Sequence, residues 1–145
     1  MEDRIKLKRL WKQSSVPVVY RPPGKEGVMV RLPYAKGNRK WLKGGRARRV
    51  SWEWRYKCWL IARSGFNRCV DICLERYGKV YVIQPYRKSE KCAPACWNAV
   101  GHECQCSCMG ANHGMGQQDG WYTVSETFAV KHVTQHLSCK LLETI

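Results

Sequence analysis

Six soft metal ligands fall within 22 residues, in the order Cys92-x3-Cys96-x7-Cys104-x-Cys106-x-Cys108-x4-His113. Zinc binds four Cys or His ligands in a tetrahedron, and ligands close in sequence keep the loop entropy of assembling the site small. Gly101, Gly110 and Gly114 punctuate the run and let the backbone turn tightly around an ion. Cys104, Cys106 and Cys108 alternate, so an extended backbone sends all three thiolates to one side. Four ligands suffice, which leaves two of the six as bystanders or as groups hydrogen-bonded to the ligands; spacing does not choose between them. A surplus of thiolates favours a closed, structural Zn2+ over a catalytic one, which needs an open coordination position and a base such as Glu103. An iron–sulfur cluster is the competing cofactor, since clustered cysteines hold it too. A redox dithiol is not indicated, because no Cys-x-x-Cys precedes a helix.

The chain also carries 26 Lys and Arg against 11 Asp and Glu, a formal charge of +15. The excess is confined to residues 1–91, which hold 24 basic and 7 acidic side chains, whereas residues 92–145 hold 2 and 4. Nine basic residues crowd the stretch from 36 to 57: Lys36, Arg39, Lys40, Lys43, Arg46, Arg48, Arg49, Arg55 and Lys57, with Glu53 the one acid among them. Cations at that density neutralise phosphates and release counterions, so the expected ligand is nucleic acid, DNA or RNA, bound in a salt-sensitive way. Trp41, Trp52 and Trp54 are interleaved with these cations, and exposed indoles can stack on unpaired bases. Trp52, Trp54 and Tyr56 nevertheless alternate with Glu53, Arg55 and Lys57. That period predicts a strand with its aromatic side buried and with Arg55 and Lys57 facing outward.

The elements that must position these groups follow from local pattern. Residues 1–15 mix basic and apolar side chains and predict a short amphipathic helix or a mobile arm. Arg21-Pro-Pro-Gly24 breaks the chain. Val28 to Tyr34 reads as a strand ended by Pro33, and a helical turn is expected around Arg39 to Lys43. The 52–58 pattern continues into Trp59-Leu-Ile-Ala62, either as one strand or as two separated by a turn near Tyr56 and Lys57. Ser64 is the expected N-cap of a helix whose apolar stripe is Phe66, Cys69, Val70, Cys73, Leu74 and Tyr77, closed by Gly78. Lys79 to Ile83 is another strand, and residues 120–133 predict a strand or hairpin returning to the sheet. The fold class is α+β: a small antiparallel sheet with one packed helix, a zinc knuckle and a C-terminal strand or hairpin. The expected organisation is a basic arm (1–24), a β-β-α-β domain (25–88), the knuckle (89–116) and the C-terminal strands (117–145).

Other chemistry is not supported by the pattern. Cys58, Cys69 and Cys73 occupy core positions of the strand and helix, Cys139 has no assigned role, and His102, His132 and His136 lack partners in sequence. Beyond the N-terminal tip the only aspartates are Asp71 and Asp119 and the glutamates are scattered singly, there is no glycine-rich phosphate loop, and no nucleophile with a base is apparent, so a non-enzymatic protein is expected. The longest apolar run, Cys58 to Ala62, is far short of the roughly 20 residues of a membrane span. The charged N-terminus does not read as a secretory signal. A cytoplasmic protein is therefore expected, in which nine cysteines point to metal rather than to disulfides.

The segment Lys91-Cys-x3-Cys-x-Asn-Ala-x-Gly-x2-Cys-x-Cys-Ser-Cys-x-Gly-x-Asn-His-Gly114, followed by Trp121-Tyr-x-Val-Ser-Glu126, resembles the signature of small cysteine-rich zinc-binding proteins of bacteria, phages and mobile elements. The upstream part, from Val30-Arg-Leu-Pro-Tyr34 through Lys57-Cys-Trp59 to Arg76-Tyr-Gly78, resembles the HARP-type module of annealing helicases, in which a β-hairpin and helix lie beside nucleic acid. The resemblances imply zinc and nucleic-acid contact and bring no catalytic residue. The expected function is a zinc-stabilised nucleic-acid-binding protein of phage or mobile-element origin. The alternative is an anti-CRISPR-like inhibitor whose basic surface occupies a host protein or ribonucleoprotein effector complex.

Overall fold

A computed structural model of the chain describes residues 2–13, 15–44, 49–85, 122–132 and 135–144. The elements in order are α1 (Glu2–Lys12), β1 (Val18–Tyr20), β2 (Val28–Arg31), α2 (Asn38–Gly44), β3 (Ser51–Glu53), β4 (Cys58–Ile61), a 3-10 turn (Arg63–Gly65), α3 (Phe66–Tyr77), β5 (Lys79–Pro85), β6 (Tyr122–His132) and β7 (Gln135–Thr144). The fold is α+β. The strands form one sheet in the order β3-β4-β2-β1-β5-β7-β6. Neighbours are antiparallel except β1 and β5, which run parallel in the middle of the sheet.

The period-2 alternation of each strand divides the core in two. Val19, Val28, Val30, Ile61, Val80, Val82 and Leu142 point to one side, where α3 lays down Phe66, Cys69, Val70, Cys73 and Leu74, and α2 adds Leu42. Their strand neighbours Val18, Ile83, Leu137 and Cys139 point to the other side, under Leu10 of α1 with Leu7 and Trp11 beside it. The basic N-terminal residues thus fold as the amphipathic helix, and Val18–Tyr20, inside the segment read as an arm, form a central strand. The C-terminal residues form a hairpin whose second strand, β7, pairs along the whole of β5.

The α3 stripe is buried as its 3.6 period requires, and Gly78 ends the helix at φ 76°, its N–H donating to Leu74 O at 2.9 Å. Ser64 does not cap it. The 3-10 turn takes up Ser64, and Gly65 becomes the N-cap with no side-chain hydrogen bond. A partly polar patch crosses the α3 side of the sheet. There the Arg21 Nε–H donates to Gln84 Oε1 at 3.3 Å, the Ser138 hydroxyl donates to Gln84 O at 3.2 Å, and the Arg21 guanidinium lies 5.2 Å from the Phe66 ring centroid. Two cations, Arg21 and Lys140, are thereby removed from the surface.

Candidate nucleic-acid interface

Gly37, at φ 84°, turns the chain out of the extended 32–35 segment and into α2. The helix is held at its start by Asn38, whose Nδ2 donates to Pro33 O at 3.1 Å, and by the Trp41 N–H, which donates to Gly37 O at 2.8 Å. Leu42 is its anchor in the core. Trp41 packs edge-on against Tyr77 of α3, with ring centroids 6.1 Å apart, and the Arg76 guanidinium lies 4.7 Å from the Trp41 ring. Trp41 therefore docks the two helices together and is partly buried. Docking this side of α2 leaves Lys36, Arg39, Lys40 and Lys43 exposed in and beside the helix. Arg39 spends part of its guanidinium on Val50 O, at 3.3 Å, which ties the helix to the approach to β3.

The aromatic residues at 52–56 do not form a buried strand face. The chain reverses at Trp54–Lys57, so β3 and β4 are two arms of a four-residue hairpin loop, with Glu53 opposite Cys58. The reversal uses Lys57 at φ 52°, and the Glu53 carboxylate accepts the Arg55 N–H at 3.0 Å. A turn interrupts the alternation that placed Trp54 and Tyr56 inside, and both emerge at the surface, 81% and 46% exposed. Trp52 stays on β3 opposite Trp59, with centroids 5.0 Å apart and planes at 72°, and meets Trp54 edge-on at 6.1 Å. β3 is the edge among the described strands, and Trp52 remains 39% exposed. Arg55 lies 5.4 Å from the Tyr56 ring and, with Lys57, is exposed as expected.

The loop before α2 and the β3–β4 hairpin bound a cleft of about 500 Å3. Tyr34, Trp52, Trp54 and Trp59 line it together with Asn38, Arg31 and Lys57, and no described carboxylate does. Tyr34 is 91% exposed. Asn38 Oδ1 is buried without a hydrogen-bond partner, and the donation from Nδ2 to Pro33 O fixes that orientation of the amide. Tyr34, Trp59, Arg31 and Asn38 were not among the residues singled out by sequence. The strand expected over Val28 to Tyr34 ends at Arg31, which leaves Tyr34 outside any strand or helix, in the loop between Pro33 and Gly37.

Seven of the nine basic residues expected to bind nucleic acid are described: Lys36, Arg39, Lys40, Lys43, Arg49, Arg55 and Lys57, all exposed. Among the described residues no carboxylate forms an ion pair with any of the seven. Arg46 and Arg48 lie outside the described residues, as do all six candidate metal ligands, Cys92, Cys96, Cys104, Cys106, Cys108 and His113. Cys58, Cys69, Cys73 and Cys139 are buried thiols, and no group of three or more metal-ligating side chains occurs among the described residues. No described helix is long and apolar enough to cross a membrane.

The chain matches no protein-family model, no curated protein and no solved structure.

Proposed function

We propose that this chain is a non-enzymatic, cytoplasmic nucleic-acid-binding protein whose surface around α2 and the β3–β4 hairpin grips phosphates. The observation that carries the reading is the set of seven exposed cations between Lys36 and Lys57, unpaired by any described carboxylate. An unpaired cation has no carboxylate to give up when it meets a phosphate, and each contact releases condensed counterions. Two rigid supports present the set: Leu42 seats α2 in the core, and β4 anchors the hairpin next to β2.

The zinc staple belongs to the same proposal. β6 runs parallel to β5 with β7 between them, so the end of β5 and the start of β6 lie at opposite ends of the sheet. The 36 residues separating Pro85 from Tyr122 contain all six candidate ligands. A connection of that length without support of its own is uncommon in a compact domain, and a metal that ties its residues together offsets the entropy of ordering them. The resemblance to cysteine-rich proteins of phages and mobile elements supports both the metal and that origin. Elemental analysis of the purified chain is expected to return about one zinc per molecule; iron with acid-labile sulfide would instead identify a cluster, and no metal would remove the staple.

Triple replacement Lys36/Lys40/Lys43→Ala tests the binding surface, because all three side chains are exposed and the fold does not need them. In a gel-shift titration at low salt the wild-type chain is expected to retard DNA or RNA, and the variant to bind about tenfold or more weakly. Equal retardation by both proteins would count against this surface. The competing reading is an inhibitor docked on an acidic host complex, and it predicts co-purification of a protein partner that survives nuclease treatment.

A further inference from the structure

The aromatic cleft beside the cationic surface is not explained by phosphate binding, which needs no ring faces. From its lining we infer that it receives unpaired nucleobases, so that the ligand is single-stranded nucleic acid rather than a duplex; this rests on the nucleic-acid reading given above. Four aromatic side chains from two separate segments converge on one concavity of about 500 Å3. Two of them, Tyr34 and Trp54, are 91% and 81% exposed. Leaving so much aromatic surface in water forgoes a large burial gain, and nothing in the local fold requires it, since both residues sit in loops.

The chemistry of the cleft selects among occupants. Aromatic clusters also bind quaternary ammonium groups, but here Lys57 is part of the lining, no described carboxylate is, and Lys36 and Arg55 are next to lining residues in sequence; the one acid so placed, Glu53, accepts the Arg55 N–H, and the Arg31 guanidinium turns toward Lys12 O and the Trp11 ring. That field repels cations and favours a ligand that is aromatic and anionic at once. An unpaired nucleotide is both. Its base offers a ring face to Trp54 and Tyr34, and its phosphate lies within the field of Lys57 and the α2 lysines. A duplex hides its ring faces in the stack and presents only phosphates, sugars and base edges. DNA and RNA share this chemistry, and the two are separated by the ligands of the test.

The test is fluorescence anisotropy with the full chain and labelled 12-nucleotide ligands: single-stranded DNA, single-stranded RNA, a duplex of the same sequence and an abasic strand. The variants are Trp54→Ala and Tyr34→Ala, whose exposure leaves the core intact, with circular dichroism to verify the fold. We expect the wild type to bind at least one of the base-bearing single strands about tenfold or more tightly than the duplex or the abasic strand. Either substitution is expected to weaken that binding by about fivefold to a hundredfold, the range for one lost stacking partner, while duplex and abasic binding stay within about twofold. Single-strand, duplex and abasic ligands bound alike, with no effect of either substitution, would overturn the base-binding inference and leave the phosphate-binding surface standing. Failure to bind any of the four ligands at low salt would overturn both.

Discussion

Cys58 lies fully buried on β4. Burial, and to a lesser degree the nearby Glu53 carboxylate, push its thiol up to about 11, against a smaller opposing pull from Arg31. Cys73 is raised as well, first by a hydrogen bond with Cys69, one helical turn earlier, and then by burial. Between the ordinary thiol value of 9.0 and about 11, the unfolded chain has released the Cys58 proton and the folded one has not. The unfolded chain then binds fewer protons, so the contribution of this thiol to stability is complete below pH 9 and is lost as pH rises through that window. Denaturant midpoints measured from pH 8 to 10.5 are expected to decline, and to decline less in Cys58→Val; an equal decline would contradict the assignment. The thiolate is the nucleophile, so Cys58 and Cys73 are expected to resist alkylation in the native chain at pH 8 and to react in denaturant. The core role of Cys58, Cys69 and Cys73 was legible in their spacing. The exposure of Trp54 was not: a turn near Tyr56 and Lys57 was one of two expectations and is present, but the alternation of Trp54 with Glu53 and Arg55 is the pattern of a buried strand face, and no glycine or proline places the start of the reversal at Trp54.

At the scale of the element, that reversal is the most informative feature. Lys57 adopts φ 52°, a conformation that costs a residue with a Cβ about 1–2 kcal/mol. Lys57→Gly should relieve it. After subtracting the greater chain entropy of glycine, a gain of about 0.5–1 kcal/mol is expected in chemical denaturation, whereas Lys57→Ala, which keeps the Cβ, should show no gain. The pair of variants separates backbone strain from charge. If Lys57→Ala stabilises as much as Lys57→Gly, charge relief and not φ is the cause. Both should weaken nucleic-acid binding modestly, because both remove a cation from the cleft. Elements with strong local signals were readable in sequence. The six-residue apolar stripe and Gly78 define α3, and the β-branched run defines β5. β1 has only three residues and follows Pro17, so it carries too little pattern to be distinguished from a linker. Ser64 has the right side chain for an N-cap, but the 3-10 turn shifts the helix start by one residue and satisfies the backbone without it.

The whole molecule is organised by pairings that local pattern does not contain. The sheet order places the N-terminal β1 beside β5, and β5 beside the C-terminal β7. These contacts join residues more than 50 positions apart, and periodicity is silent about them. Charge, by contrast, was legible at this scale. The excess of cations in residues 1–91 is realised as exposed side chains on α2 and on the hairpin, reduced by those, such as Arg21, that the core absorbs. On this account the helices and sheet form a rigid support, α2 and the hairpin carry the phosphate-binding cations, and the cleft between them adds the bases. The most direct measurement is the salt dependence of binding. A plot of log K against log salt for a single strand should be linear, with a slope of about −3 to −5 for the wild type. Lys36/Lys40/Lys43→Ala should flatten it by about 2, since each lost phosphate contact removes ~0.7. A slope near zero, or one that the triple replacement leaves unchanged, would contradict the claim that these cations hold nucleic acid.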